Sequence, residues 1–518
     1  MGASHRVLVL GDPAGECAAA LAAAGLVADD GTTWDAAQVA ACAGEYDALV
    51  TGPSEPVPAA LLRAGTRLRV VGRAGVDVDG VDVEEASRRG IVVVRAEDAE
   101  AAGAAEHLLA LLLAVARGVV TADAAARSGA GGVAAGEGVE LQGKTLGLAG
   151  LDRATAALAD AAFALRMHVV VCPAPGEDAP AALPAGAVSR ADLLAAADFI
   201  VAAGDSGGLL DDAAFSAVKP GARLVTPAAA VDASALAGAL EDGRVAAAAV
   251  LLGPGDAAAA QALSGIPGVV FASAGDAVTR EARARAATTA AESVAAALRG
   301  GFPTGAVNVP VAAADAAELM PYVGLCDQLG RLLVQLAGGP VDAVDITYGG
   351  SVAYFDTGLL TLGVLGGVLA GRVDGPVNYV NASGHAQRLG VTATEHRQSE
   401  IPEYPRLITV SAGDVSVSGT SLGPEHNPRL VRVFGEDVDI EPAPRMAFLR
   451  YEDAAGIGGK VGTLLGEWRV NIAHMSVGRG RRGDEAVMAL TLDQPLTAAQ
   501  AADLVLRCGL LYARAVQL

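Results

Sequence analysis

The chain has 518 residues, and 37 lysines and arginines against 59 aspartates and glutamates give a formal net charge of −22. A chain this acidic repels the phosphates of nucleic acids, and it has no basic run for an anionic membrane surface, so charge excludes both as main partners. The five cysteines lie far apart and form no C-x-x-C pair. We therefore expect neither a disulfide framework nor a metal site. The length corresponds to about three or four domains.

Apolar residues make up 52% of the chain, yet its longest apolar runs do not meet the requirements of a membrane span. The two most apolar runs are Ala104–Val120 and Gly358–Gly371. The first contains Glu106, His107 and Arg117, and the second is shorter than the ~20 uncharged residues that a bilayer requires. The N-terminal residues also lack the apolar segment of a signal peptide. The sequence therefore predicts a cytoplasmic protein without a membrane span.

Strand-like apolar runs alternate with alanine-rich helical runs through the first half of the chain. The predicted strands are Val7–Gly11, Ala48–Thr51, Leu68–Val71, Ile91–Val94, Thr145–Ala149, His168–Cys172, Phe199–Ala202, Arg223–Thr226, Ala247–Leu252 and Val269–Ala272. This alternation is typical of doubly wound parallel sheets. The long helix Ala104–Arg117 precedes the strand–loop–helix at Thr145–Leu165, which indicates a flavodoxin-like lobe followed by a nucleotide-type Rossmann lobe. A second long helix, Arg280–Arg299, would return the chain to the first lobe.

The pattern changes after Gly300–Val309, a glycine- and proline-containing stretch that is typical of a linker. The following residues mix helices with alternating strands, as in an α+β domain, and Met446–Leu518 has the β-α-β-β-α-β order of a ferredoxin-like domain. The predicted division is a substrate-type lobe (1–99 and 286–308), a nucleotide-type lobe (100–285), an intervening domain (311–442) and a C-terminal domain (446–518). The predicted fold class is therefore α/β for two lobes, followed by an α+β and a ferredoxin-like domain.

Several passages together resemble one known family. They are GRAGVDVDGVDVEEASRRGIVVV (72–94), AAEHLLALLLAVAR (104–117), LQGKTLGLAGL (141–151), VKPGARLV (218–225), GPVNYVNA (375–382), VSVSGTSLGP (415–424) and LRYEDAAGIGGKVGTLLGEWRVNIAHMSVGR (449–479). On these passages the chain resembles the long, actinobacterial-type D-3-phosphoglycerate dehydrogenases of the D-isomer-specific 2-hydroxyacid dehydrogenase family. The resemblance implies an NAD-dependent oxidoreductase of L-serine biosynthesis whose C-terminal ACT domain pairs with that of another subunit. Function is carried by the site and not by the fold, so the site residues have to be compared one by one.

The glycine loop that holds the dinucleotide departs from the family pattern. Where the family has G-x-G-x-x-G, this chain has Gly150-Leu151-Asp152-Arg153-Ala154-Thr155, and only Gly150 remains. Asp152 would place a negative charge beside the pyrophosphate. The stretch Val169–Gly176, where the family has an acidic residue for the ribose, contains no acid. We predict that the chain binds no cofactor, or binds NAD weakly, with Gly150 as a vestigial cofactor-binding residue.

The catalytic residues that the resemblance implies are also replaced. The segment for the family arginine, Thr226–Asp232, has no arginine, and the segment for the glutamate, Leu251–Gly255, has no glutamate. Ala274 stands at the position of the family histidine, and Gly52 stands where a substrate-binding arginine is expected. Three acids have entered Val94–Glu100, where an anionic substrate would bind. The sequence therefore predicts no catalytic residue, and whether the chain is an enzyme stays open.

The C-terminal domain, by contrast, keeps the residues that bind serine in the family. The resemblance implies that Tyr451 and Asp453, Gly456 in the turn before the next helix, and Asn471 form a serine-type effector site between paired ACT domains. A carboxylate suits an ammonium group, and an amide together with N–H groups at a helix start suits a carboxylate. We therefore expect L-serine or another amino acid as ligand, and self-association through these domains.

Three hypotheses remain at this stage. In the first, the chain is a catalytically impaired pseudoenzyme linked to L-serine biosynthesis, acting as a serine-sensing allosteric or scaffold subunit, with an active paralogue as one partner. In the second, it is an active NAD-dependent dehydrogenase of D-3-phosphoglycerate or another 2-hydroxyacid. In the third, it is a purely structural assembly protein that binds neither nucleotide nor amino acid.

Overall fold

A computed structural model describes residues 5–11, 15–129, 137–174, 186–202, 210–309, 313–401, 404–423, 426–479 and 485–518. The chain forms two compact units. The first contains residues 1–73, 78–95 and 290–518, and the second contains residues 74–77 and 96–289. The division into four domains stays a prediction, and the sheets below are described within each unit.

The first unit begins with a five-stranded parallel sheet. Its strands are β1 (Arg6–Leu10), β2 (Val27–Asp30), β3 (Ala48–Thr51), β4 (Val70–Arg73) and β5 (Val92–Arg95), and its helices are α1 (Glu16–Ala23), α2 (Ala36–Cys42), α3 (Ala59–Ala64) and α4 (Val83–Arg88). The strand order β2-β1-β3-β4-β5 confirms the flavodoxin-like lobe. Strand β2 was not predicted from the sequence, because this edge strand is partly exposed and ends in two aspartates.

The second unit contains a seven-stranded sheet in the order β12-β11-β10-β9-β6-β7-β8, the order of a Rossmann-like lobe. Its strands are β6 (Thr145–Ala149), β7 (His168–Cys172), β8 (Gly186–Ala187), β9 (Phe199–Ala202), β10 (Ala222–Pro227), β11 (Val245–Leu252) and β12 (Val269–Ser273). Its helices are α5 (Ala101–Arg117), α6 (Val119–Arg127), α7 (Arg153–Ala164), α8 (Arg190–Ala196), α9 (Asp212–Ala217), α10 (Ala233–Glu241), α11 (Ala257–Leu263) and α12 (Arg280–Leu298), whose last residues belong to the first unit. Only the two-residue β8 had no counterpart in the sequence pattern.

The first unit continues with a six-stranded mixed sheet in the order β14-β13-β15-β16-β17-β18. Its elements are α13 (Ala313–Ala337), β13 (Ala343–Gly350), α14 (Gly358–Leu369), α15 (Ala382–Leu389), β14 (Thr392–Gln398), β15 (Arg406–Ala412), β16 (Val415–Leu422), β17 (Asn427–Val433) and β18 (Glu436–Ile440). Helix α14 is apolar all round and almost entirely buried, which accounts for the apolar run seen in the sequence. Helices α13 and α14 pack closely because Gly330 and Gly367 let the two backbones touch.

The chain ends in a four-stranded sheet in the order β20-β21-β19-β22, with two helices on one face. Its elements are β19 (Met446–Glu452), α16 (Ile457–Glu467), β20 (Ile472–Arg479), β21 (Glu485–Leu492), α17 (Ala498–Cys508) and β22 (Tyr512–Val516). The β-α-β-β-α-β order confirms the ferredoxin-like prediction. Met446, Phe448 and Val516 on the other face belong to the same hydrophobic core as α13 and α14. The C-terminal sheet and the preceding domain therefore share one core.

Within the described residues, no single helix is both long and apolar enough to cross a membrane. The pair α5 and α6 reaches the required length and composition only together, and it is bent by 65°.

Candidate functional site

The turn after β6 is the first part of the candidate site, because in this fold it receives a nucleotide phosphate. Gly150 has φ +83° and its N–H donates to the carbonyl of Cys172 at 2.8 Å. Asp152 caps α7: its carboxylate accepts the N–H of Thr155 at 2.8 Å, and its own N–H donates to the Thr155 hydroxyl at 2.8 Å. This reciprocal capping box places a carboxylate on one of the N–H groups that a phosphate would use.

The nearest cation in this turn is also paired with acids. The guanidinium of Arg153 lies 2.8 Å from a carboxylate oxygen of Glu97 and 3.1 Å from one of Asp98. Burial, and then the charge of Asp77, raise the pKa of the Glu100 carboxyl. The acids that the sequence places in Val94–Glu100 thus neutralise Arg153 and add negative charge around the turn.

The residues present at this turn do not fit a dinucleotide. The helix N-terminus that would stabilise the pyrophosphate carries the Asp152 carboxylate, and a phosphate in its place would meet a like charge. Strand β7 ends at Cys172, and Pro173 and Ala174 offer no carboxylate for a ribose. The end of the acid-free stretch, from Pro175 onward, lies outside the described residues.

The three segments that correspond to the catalytic arginine, glutamate and histidine lie side by side in the second unit. They follow β10, β11 and β12, which are neighbouring parallel strands with Thr226 opposite Val250 and Leu252 opposite Ser273. Their carboxyl ends therefore meet at one edge of the sheet. The chain forms a 3-10 turn of alanines at 228–230 after β10, reaches Gly253 after β11, and reaches exposed Ala274 after β12.

Two aspartates near this edge serve the backbone. Asp232 accepts the N–H groups of Ser234 and Ala235 at 2.8 and 3.0 Å and so caps α10, and Asp256 accepts the N–H of Gly253 at 2.8 Å. The carboxylates of Asp232 and Asp256 therefore stabilise turns. The described residues 228–230, 253 and 274 are alanine or glycine, whose side chains are methyl groups or hydrogen and cannot transfer a proton.

Glu55, which no sequence motif indicated, occupies the switch point of the five-stranded sheet, between the ends of β1 and β3. Its carboxylate packs against Gly11 and Gly52, so closely that a Cβ on either glycine would clash with it. Buried Arg73 holds this loop by donating to the main-chain carbonyls of Pro53, Glu55 and Asp79. A carboxylate thus stands beside Gly52, where a substrate-binding arginine was expected. The sequence feature that could have indicated this loop is the pair of prolines at 53 and 56, because proline restricts the backbone on either side of Glu55.

Three of the four predicted effector residues lie together in the C-terminal domain. Tyr451 is 4% exposed at the end of β19, and burial, followed by the nearby charge of Asp453, raises the pKa of its phenol. Asp453 pairs with Arg479, the last residue of β20, at 3.4 Å. Gly456 has φ +93° and precedes the first turn of α16, a conformation that favours glycine.

Asn471 lies at the other end of the same sheet. Tyr451 and Arg479 both pair with Ala486, whereas Ile472 pairs with Leu492 at the far end of β21. Asn471 is therefore about 20 Å along the strand direction from Tyr451. Its amide donates to the Asp493 carboxylate at 2.7 Å. One chain does not bring all four residues to one point.

No group of three or more histidine, cysteine, aspartate or glutamate side chains within the described ranges is placed to hold a metal ion. All five cysteines lie within the described ranges and none forms a disulfide, and four of them are buried. Burial raises the pKa of the Cys172, Cys326 and Cys508 thiols. Buried thiols of this kind are inert packing groups.

The fold defines the class of protein. Two doubly wound α/β lobes with these strand orders follow each other along the chain, and this fold is shared with a solved D-2-hydroxyisocaproate dehydrogenase at a TM-score of 0.51 and 18% identity, covering 58% of this chain and 99% of that one. Family models refine the class: the catalytic domain of D-isomer specific 2-hydroxyacid dehydrogenases matches residues 9–308, and the D-3-phosphoglycerate dehydrogenase intervening domain matches residues 318–434.

The chain belongs to the D-isomer-specific 2-hydroxyacid dehydrogenase family, in the branch that contains the D-3-phosphoglycerate dehydrogenases. The D-3-phosphoglycerate dehydrogenase of Mycobacterium leprae is 35% identical over 476 residues, which cover 89% of each chain. The enzyme of the same name from Bacillus subtilis is 33% identical over 463 residues, covering 87% of this chain and 88% of the relative.

Proposed function

We propose that this protein is a phosphoglycerate dehydrogenase-like subunit of L-serine biosynthesis that has lost efficient hydride transfer. It senses L-serine, or another small amino acid, and acts as a regulatory or scaffold subunit. The observation that carries the loss of activity is the capping of α7 by Asp152, because the helix end on which the cofactor's pyrophosphate would depend already holds a carboxylate.

The carboxyl edge of the Rossmann-like sheet supports the same conclusion. A 2-hydroxyacid dehydrogenase needs a cation for the substrate carboxylate and a titratable group for the alcohol proton. The described turns after β10, β11 and β12 present alanine and glycine at the corresponding places. Loss of a proton-transfer group alone typically costs about 10²- to 10⁴-fold in rate.

The purified full-length protein is therefore expected to oxidise NADH with 3-phosphohydroxypyruvate, or with 2-oxoglutarate, no faster than the background. The measurement is absorbance at high protein concentration, with an active phosphoglycerate dehydrogenase as the positive control. Turnover within the ordinary enzyme range of about 1–10³ s⁻¹ would overturn the proposed loss of activity and favour an active dehydrogenase. It would also mean that other groups have replaced the missing residues.

The effector site of the proposal requires a second copy of the chain. Asn471 directly precedes β20, and Asp453 pairs with Arg479 at the end of that strand. If two β20 strands lie antiparallel, the beginning of one strand comes beside the end of the other. Asn471 of one copy and Asp453 with Tyr451 of the other then face the same space. A carboxylate for an ammonium group and an amide for a carboxylate suit an amino acid.

Strand β20 has the surface that such pairing needs. It is an edge strand whose strand pairing, within the described residues, is with β21 only, while its Ser476 hydroxyl accepts the N–H of Asp439 from β18 at 2.9 Å. Met475 pairs with Leu490 of β21 and Val477 pairs with Met488 of the same strand, and both β21 residues belong to the core under the two helices. Met475 and Val477 are nevertheless 37% and 44% exposed. Two exposed apolar side chains on an open edge favour strand-to-strand association.

Replacing Met475 and Val477 together by glutamate is expected to convert the associated form to a smaller species and to lower the affinity for L-serine at least about tenfold. Like charges would face each other across the edge. Sedimentation velocity and calorimetric titration with L-serine measure the two effects. Leu506→Glu, at an 81% exposed position of α17, is the control and is expected to change neither.

An unchanged sedimentation coefficient in the double variant would refute pairing through β20. Failure of the unmodified protein to bind L-serine or any other amino acid would refute the sensing role. If NADH also failed to bind, the purely structural alternative would be favoured.

A further inference from the structure

A groove of about 600 Å³ lies between α14, α15 and the edge strand β14, and none of its lining residues belongs to the sites described above. This volume lies within the range of small-molecule sites. Its floor is aliphatic, formed by Leu362, Leu365, Val391 and Ala393. One charged side chain, Glu395 of β14, lines its wall.

The carboxylate of Glu395 is held in place by threonine hydroxyls. Thr357 donates to one carboxylate oxygen at 2.8 Å, and Thr361 donates to the other. A hydroxyl has one proton, so the 2.7 Å hydrogen bond between Thr361 and the buried Tyr348 must be donated by the tyrosine. Every donor in this chain of hydrogen bonds is therefore fixed: Tyr348 donates to Thr361, and both threonines donate to the Glu395 carboxylate.

Glu395 retains the capacity to bind a cation. A carboxylate has about four acceptor positions, and the two threonines use one on each oxygen. The guanidinium of Arg397 forms an ion pair with this carboxylate at 3.9 Å, which is too long for a hydrogen bond, and it donates its hydrogen bond to the Thr357 hydroxyl at 3.1 Å. The Glu395 side chain remains 31% exposed. An oriented carboxylate at the end of an aliphatic groove suits a positively charged donor.

We propose that this groove binds a small primary ammonium compound with an aliphatic body. The ammonium group donates to Glu395, and the hydrocarbon covers the floor formed by Leu362, Leu365 and Val391. No lysine or arginine lines the groove, so a ligand carboxylate would meet no opposite charge there, only neutral donors such as the Ser383 hydroxyl and the Gln387 amide. The preferred ligand class is therefore aliphatic amines and not amino acids, which separates this site from the serine-type site and makes it independent of the proposed function.

The test is calorimetric titration of the full-length protein at neutral pH with three probes of similar shape: 3-methylbutylamine, 3-methylbutanol and 4-methylpentanoate. We expect the amine to bind, the alcohol to bind at least tenfold more weakly, and the carboxylate to give no signal. Equal binding of alcohol and amine would reduce the site to an apolar groove and overturn the proposal, as would the absence of amine binding at millimolar concentration.

Two variants separate the two parts of the proposal. Glu395→Gln is expected to weaken amine binding at least tenfold, and Ala393→Leu is expected to abolish it by filling the groove while leaving the carboxylate in place. Asp414→Asn, which removes an exposed carboxylate from the turn between β15 and β16 of the same sheet, is the matched control and should bind like the unmodified protein. Circular dichroism checks the fold of each variant, and undiminished binding in a folded Glu395→Gln variant would contradict the assignment.

Discussion

Replacing Asp152 by glycine is expected to raise the affinity of the protein for NADH about tenfold or more. The substitution frees the Thr155 N–H and removes a negative charge from the helix end where the pyrophosphate would lie. Two like unit charges about 4 Å apart near a protein surface repel each other by about 4 kcal/mol. A tenfold change in affinity corresponds to about 1.4 kcal/mol, so relief of part of this repulsion is sufficient. Titration of NADH fluorescence measures the change.

The control for this prediction is Asp232→Gly, which removes the cap of α10 at the same edge of the sheet. Glycine in place of a capping aspartate costs only a few tenths of a kcal/mol, so both variants should lose little stability. Only Asp152→Gly should gain affinity for NADH. An unchanged affinity in that variant would mean that the capping carboxylate is not what keeps the cofactor away.

Replacing Gly367 by valine is expected to lower the free energy of unfolding by about 3 kcal/mol. A Cβ at this position would lie 2.0 Å from the carbonyl oxygen of Asp327, and one at Gly330 would lie 2.3 Å from that of Val364. Helices α13 and α14 would have to separate, and the core that they share with the C-terminal sheet would loosen. Denaturant unfolding followed by circular dichroism measures the loss.

Gly324→Ala is the matched substitution on the same helix. A Cβ at Gly324 meets nothing within 4 Å, so alanine brings its helix propensity without a clash and should raise stability by about 0.5–1 kcal/mol. If valine at position 367 were tolerated as well as alanine at position 324, the close helix crossing would not be what holds this core together.

The strand pattern was predictable along the chain because a parallel strand buried on both faces is a continuous apolar run. Ten strands of the two lobes were expected on this ground. The two exceptions, β2 and β8, are edge strands, one ending in aspartates and the other only two residues long. Their pairing depends on the neighbouring strand and not on their own composition.

The candidate site was only partly predictable. That no arginine, glutamate or histidine stands at the positions implied by the family motifs is a prediction from the sequence alone, and it stays a prediction. From the sequence, Asp152 is predicted to be a charge facing phosphates, and in the structure it also caps α7 with Thr155. The position of the Glu55 carboxylate could not be predicted, because it depends on contact with Gly11, which is distant in the chain.

The periodicity of apolar residues and the order of the motifs were sufficient to assign two doubly wound lobes, an α+β domain and a ferredoxin-like domain, because these signals are local to each segment. The contacts between distant segments could not be predicted from these local signals. That Asn471 lies at the opposite end of the sheet from Tyr451, and that Glu395 faces an aliphatic groove with two threonine donors, follows from strand register and helix packing. A one-residue change of register turns a side chain to the other face, so such juxtapositions exist only once the sheet is formed.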